Sequence, residues 1–125
     1  MRVLVIDDDD ALREVISDSL ESQGYEVTQA INGRKGVDFL DGTPVDLVIT
    51  DIIMPEQEGV ETILEIRKRF PDLKIIAMSG GTRFGTMDYL EVAEKLGAAD
   101  TLVKPFRQHQ LLSVVRSALE QVETA

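Results

Sequence analysis

The sequence predicts an α/β protein built on one parallel sheet with helices on both faces. Three observations carry this. Short, β-branched apolar runs alternate strictly with segments whose apolar residues recur at helical spacing. The best of these runs are continuously apolar rather than alternating, as in strands covered on both sides. The runs also end on polar residues followed by turn chemistry, so their carboxyl ends share a character. In sheets of this kind, ligands bind beyond the carboxyl ends of the strands, where strand order reverses.

Residues 2–6 (RVLVI) are the first expected strand, and Asp7, Asp8, Asp9 and Asp10 follow at once. Residues 11 to about 23 carry Leu12, Val15, Ile16 and Leu20 at helical spacing, and Gly24 supplies the stop. Asp9 or Asp10 suits the cap of that helix and complements its dipole. Residues 25–30 (YEVTQA) alternate, as an edge strand does. Residues 33–40 form a short helix closing at Asp41-Gly42. Residues 45–55 (VDLVITDIIMP) drive a buried strand into a single acid, Asp51, and then into a chain-breaking proline. A helix over about 60–70 turns Val60, Ile63, Leu64 and Phe70 inward. Residues 74–78 (KIIAM) are a buried strand ending at Ser79-Gly80-Gly81. A glycine-rich loop leads to a helix over about 87–96, stopped by Gly97. Residues 101–103 are a short strand ending at Lys104-Pro105. Leu111, Leu112, Val115, Ala118, Leu119 and Val122 stripe the last helix.

The chain has 125 residues, enough for one domain with a real core. Its apolar fraction of 43% and charged fraction of 29% are those of an ordinary globular protein. No apolar run approaches the ~20 residues of a membrane span. The apolar opening is too short for a secretory segment. There is no cysteine, which excludes disulfides, thiolate metal sites and cysteine nucleophiles, and a cytoplasmic setting is expected. The net charge of −10 repels phosphate backbones, so no direct nucleic-acid contact is expected. It suits cations and basic partner surfaces.

Asp7, Asp8, Asp51, Ser79 and Lys104 each follow an apolar run, which places all of them on one rim. Three carboxylates together repel unless something compensates them. A hard divalent cation is the simplest compensation, and Mg²⁺ is typically held by a few carboxylates plus a phosphate. Lys104 adds a fixed positive charge, and Ser79 adds a hydroxyl. Such a pocket would neutralise a phosphoryl group arriving on Asp51. Asp9 and Asp10 are explained as helix caps. His109 takes no catalytic role, and Met54 and Phe106 are packing residues.

The chain resembles the receiver domain of bacterial response regulators. The matching stretches are 3–8 (VLVIDD), 46–59 (DLVITDIIMPEQEG), 75–80 (IIAMSG), 97–100 (GAAD) and 102–106 (LVKPF). They span the whole chain, and their ordered combination is specific. The resemblance implies a (βα)5, doubly wound, flavodoxin-like sheet of order 2-1-3-4-5. It makes Asp51 the phospho-acceptor, Asp8 a direct Mg²⁺ ligand and Asp7 a ligand largely through water. The backbone carbonyl of Ile53 would complete the metal site. Ser79 would hold a phosphoryl oxygen and Lys104 would pair with it, after a cis Lys104-Pro105 bond. The implied partners are a sensor histidine kinase or histidine phosphotransfer protein, a downstream protein target and, in a homodimer, a second copy. No output domain is expected after residues 121–125.

Three positions depart from the family pattern. Thr101 stands three residues before Lys104, where the family has an aromatic ring. The loop 80–86 (GGTRFGT) is longer than usual. It and the helix after it are expected to be the moving element, with Phe84 as the moving ring. Ile53 and Gly81, at the mouth of the pocket, offer no side-chain hydrogen bond to an attacking water, so slow self-dephosphorylation is expected. Two rival readings remain. A haloacid-dehalogenase-type phosphatase would use Asp7, Asp9, Ser79 and Lys104, but leaves the Asp51 motif unexplained. An interaction module that no longer accepts phosphate would leave the whole polar rim unexplained. A dinucleotide or P-loop site fails, because no glycine-rich loop follows the first strand.

Overall fold

The computed structural model describes residues 1–52, 58–80, 94–95 and 97–123. Within them runs a sheet of five strands: β1 (Arg2–Ile6), β2 (Glu26–Ala30), β3 (Leu47–Asp51), β4 (Lys74–Ser79) and β5 (Asp100–Val103). Their order is β2-β1-β3-β4-β5, and every neighbouring pair is parallel. The described helices are α1 (Asp10–Glu21), α2 (Gly33–Gly42), α3 (Glu58–Arg69) and α4 (Gln108–Glu123). Strand order therefore reverses between β1 and β3, as expected.

Period-two alternation sends successive residues of each strand to opposite faces. Val3, Val5, Leu47, Ile49, Ile76 and Met78 join Ile16 and Leu20 of α1 and Leu111 and Val115 of α4 in one buried cluster. Leu4, Ile6, Val48, Ile75 and Ala77 join Val37 and Leu40 of α2 and Ile63 and Ile66 of α3 in the other. The central strands are thus apolar on both sides, while β2 sits at an edge with Glu26 and Gln29 exposed.

Local chemistry sets the helix ends. Asp9 caps α1 in an extended conformation, its Oδ1 accepting from the Leu12 N–H at 3.1 Å. Asn32 caps α2 in the same way, accepting from the Lys35 N–H at 2.9 Å. Gly24, at φ +92°, takes the left-handed turn that ends α1.

Two inward assignments are corrected. Val15 is exposed at 60%, and the buried stripe of α1 is Arg13, Ile16, Ser17 and Leu20. Leu64 is likewise exposed, and Ile66 takes its place beside Ile63. Phe70 packs against the second cluster as expected, and Val60 is half-buried. Of the helix expected over 87–96, Glu94 and Lys95 are described, and both are helical. Ile53, Met54, Gly81, Phe84, the rest of the loop after Gly80 and the side chain of Val122 lie outside the described residues.

Gly59 anchors α3 just beyond the acidic end of β3. A Cβ there would fall on the backbone of Ile52, next to Asp51, leaving no flexible side chain to give way. Gly59→Ala is therefore expected to cost about 1–3 kcal/mol through overpacking. Gly42→Ala, at a helix end with open space around it, should be neutral or stabilising. Urea unfolding of both variants checks the contrast, and equal stability of the two would refute it.

Candidate functional site

β1, β3 and β5 deliver three charged side chains to one rim. Asp51 is the last residue of β3, Asp7 follows β1, and Lys104 follows β5. Ile6 pairs with Thr50, so Asp7 and Asp51 stand level on neighbouring strands. Both continue rows whose earlier members, Val3 and Val5 on one strand and Leu47 and Ile49 on the other, lie in the first apolar cluster. An acid in that position has left the core but kept its dry floor.

Lys104 reaches from the edge strand over β4 to both acids. Its Nζ donates to Asp51 Oδ2 at 2.7 Å and to Asp7 Oδ2 at 2.9 Å. The Asp7 side chain has no exposed area, and Asp51 has 7%. Burial works against the ammonium, but hydrogen bonds and charge from Asp51 and Asp7 outweigh it and raise the Lys104 pKa above its ordinary value. The Lys104-Pro105 peptide bond is cis, as the resemblance implied. The Lys104 N–H donates to the Ser79 carbonyl at 2.6 Å, joining the ends of β4 and β5. Ser79 itself is almost fully buried, one register step beyond the Asp51–Met78 pair. Thr101 is half-buried on β5, and its N–H donates to Asp100 Oδ1. Phe106 packs against the first cluster, and His109 is exposed.

Asp8 completes an acidic group. Carboxylate oxygens of Asp7, Asp8 and Asp51 lie within 4.8 Å of one another. Asp8 is exposed, and no hydrogen bond or ion pair among the described residues engages its carboxylate. Asp7 is the opposite case: Oδ1 accepts from the Asp9 N–H at 2.8 Å, while Oδ2 takes Lys104. One solvent-facing carboxylate beside two buried ones, all hard oxygen donors, fits a divalent cation that keeps part of its water. Ile53, the remaining candidate ligand, lies outside the described residues.

Sequence reasoning missed one member of this neighbourhood. Arg13 is nearly buried, and its guanidinium donates to the Asp7 carbonyl at 2.8 Å, to Asp10 Oδ1 at 2.7 Å and to Gln29 Oε1 at 2.9 Å. An arginine inside an apolar helical stripe reads as a solvent residue. The available signal was Asp10 three residues before it, on the same face.

A family model described as the response regulator receiver domain matches residues 3–116. Response regulator protein FleR of Pseudomonas aeruginosa is 38% identical over 122 residues, 97% of this chain and 25% of that protein. Chemotaxis protein CheY of Thermotoga maritima is 37% identical, covering 91% of this chain and 93% of its own length. The crystal structure of a CheY-like receiver domain protein from Methanospirillum hungatei superposes with a TM-score of 0.89 at 28% identity, over 98% of this chain and 96% of that one. Against most of its longer relatives the chain spans from 12% to 54% of their length. None of this supports the phosphatase alternative. Its nucleophile would be Asp7, whose two oxygens are both engaged, and its second acid would be Asp9, which caps α1.

The raised Lys104 pKa has a definite sign for stability. A cation held more tightly in the folded chain stabilises fully below its unfolded value of 10.5, and the contribution is lost as pH rises through the higher folded value. Lys104→Met should cost on the order of 3 kcal/mol at neutral pH, as when one partner of a buried pair is removed. The gap from wild type should stay constant up to about pH 10 and narrow only above it. Urea unfolding at a series of pH values measures this, and a gap that closes near pH 8 would show that the acids do not hold the lysine.

Proposed function

The chain belongs to the response regulator receiver family of two-component signal transduction, and from that membership we propose that Asp51 is its phospho-acceptor and Mg²⁺ its cofactor. The observation that carries this is the shared ammonium: Lys104 Nζ rests on Asp51 and Asp7 at 2.7 and 2.9 Å at the end of a buried strand. Asp7 shares the strand-end position, the ammonium and the neighbouring acids with Asp51. The likeness of residues 46–59 to the family pattern is what selects Asp51 as the acceptor.

In this reading an oxygen of Asp51 attacks phosphorus on a phosphohistidine, of a sensor kinase or a phosphotransfer protein. The Oδ–P bond forms as the P–N bond breaks, and the released imidazole takes a proton from solvent. Lys104 is already charged and already aimed. It can exchange one carboxylate oxygen for an incoming phosphoryl oxygen without first being protonated. Asp8 would take the metal directly, Asp7 largely through water, and the Ile53 carbonyl would add a third protein oxygen. Bound Mg²⁺ would offset the charge that gathers on the phosphoryl oxygens. Ser79 would supply its hydroxyl to one of them. The signal then passes, in the cytoplasm, to a protein target. The segment after Gly80 is proposed as the moving element, because Thr101 offers no ring to turn.

Mass spectrometry after acetyl phosphate and Mg²⁺ tests the core of the reading. Wild type should gain one phosphoryl group. Asp51→Asn, or wild type in chelator, should gain none, and an unmodified wild type would overturn the proposal. Ile53 and Gly81 offer no side-chain hydrogen bond to an attacking water, so the phosphorylated form should persist well beyond seconds. Decay followed in excess Mg²⁺ measures this, and a lifetime of a few seconds would contradict it.

A further inference from the structure

We propose that Arg13 is a positioning residue for the acid loop, and that it sets the affinity of Asp7 and Asp8 for Mg²⁺. This rests on the metal reading above but concerns a residue outside the cation's reach. Arg13 occupies a place where an apolar side chain would be cheaper. It lies on the buried stripe of α1, in series with Ile16 and Leu20, and is about nine-tenths buried. Burying a guanidinium costs unless its donors are used. Here all three of its nitrogens are used, and each ties down a different piece of chain.

The NH1 group donates to the Asp7 carbonyl at 2.8 Å, gripping the backbone between the two acids. The NH2 group donates to Asp10 Oδ1 at 2.7 Å, holding the far end of the same loop. The Nε–H donates to Gln29 Oε1 at 2.9 Å, fastening the assembly to the edge strand β2. Two further bonds brace the loop. The Asp7 N–H donates to the Ala30 carbonyl at 3.2 Å, and the Asp9 N–H donates to Asp7 Oδ1 at 2.8 Å. Asp7 and Asp8 therefore leave β1 along a path fixed at its carbonyl by Arg13. Asp8 has no partner of its own among the described residues, so the direction of its carboxylate depends on that path. The planar fork matters here, because an ammonium cannot hold three divergent acceptors in fixed directions.

Electrostatics and positioning predict opposite signs, which makes the proposal testable. Removing a cation beside an acidic metal site should, by charge alone, tighten the metal. If Arg13 instead holds the loop, its removal should weaken the metal, as loss of an outer-shell partner does by about 10–100-fold. We expect Arg13→Gln and Arg13→Lys each to weaken Mg²⁺ by roughly tenfold in calorimetric titration. Gln29→Ala, an exposed and uncharged change on β2, should weaken it by a smaller factor. That variant keeps the test decisive if the Arg13 variants fold poorly.

Amide hydrogen exchange in chelator gives a second, metal-free readout. Exchange at Asp9 should quicken in the variants while that of Val48 and Ile49 in β3 is unchanged. Mg²⁺ affinity that is unchanged or tighter in all three variants would overturn the proposal, as would unaltered exchange at Asp9. A wild type that binds no Mg²⁺ would instead overturn the metal reading, and the exchange arm tells the two failures apart.

Discussion

Two carboxylates with almost no access to water, Asp7 and Asp51, share one ammonium, and the rest of the rim follows from that sharing. A carboxylate is costly to bury at such depth without a partner, and Lys104 serves both. One lysine cannot neutralise both, so the group as a whole keeps a negative excess, which Asp8 enlarges. Such an acidic surplus suits a hard divalent cation. The overall charge of −10 carries the same sign.

The parallel sheet makes the sharing geometrically cheap. Parallel register puts Asp7 and Asp51 level on adjacent strands, and the pleat sends both up the face that α1 and α4 cover. The apolar rows below them exclude water from beneath. The opposite face holds the exit of β3. There Gly59 lets α3 begin against the backbone of Ile52, directly after Asp51. Arg13 does the corresponding work for β1, using side-chain donors where α3 uses the absence of a side chain.

Much of this was legible in the sequence, for a physical reason. Fully buried strands must be continuously apolar, so the first polar residue after each run marks the end of the sheet. Asp7, Asp51, Ser79 and Lys104 stand out on that ground alone, and the strand order completed the picture. Helix faces were less legible. In α1 the stripe was read through Val15, which is exposed, and passed over Arg13, because a charged residue gives no sign that its donors will be satisfied indoors. In α3 the stripe was read through Leu64, one residue past Ile63 and two short of the buried Ile66, because a leucine contributes equally to either phase of a short periodic segment. Helix faces are settled by tertiary packing, and sequence periodicity fixes them only to within a residue.

The Lys104–Asp7 bond joins residues 97 positions apart, and the Lys104–Asp51 bond joins residues 53 apart. Among the described residues, β5 is the last strand in sequence. In a polypeptide that has emerged only through β4, Asp7 and Asp51 would come side by side without the Lys104 ammonium. Their repulsion then opposes the closing of the sheet they belong to, until the final strand docks and brings its cation. The same contact that links the two acids therefore also marks the docking of the last described strand. A half-made domain carries the acids, but not the ammonium that they share.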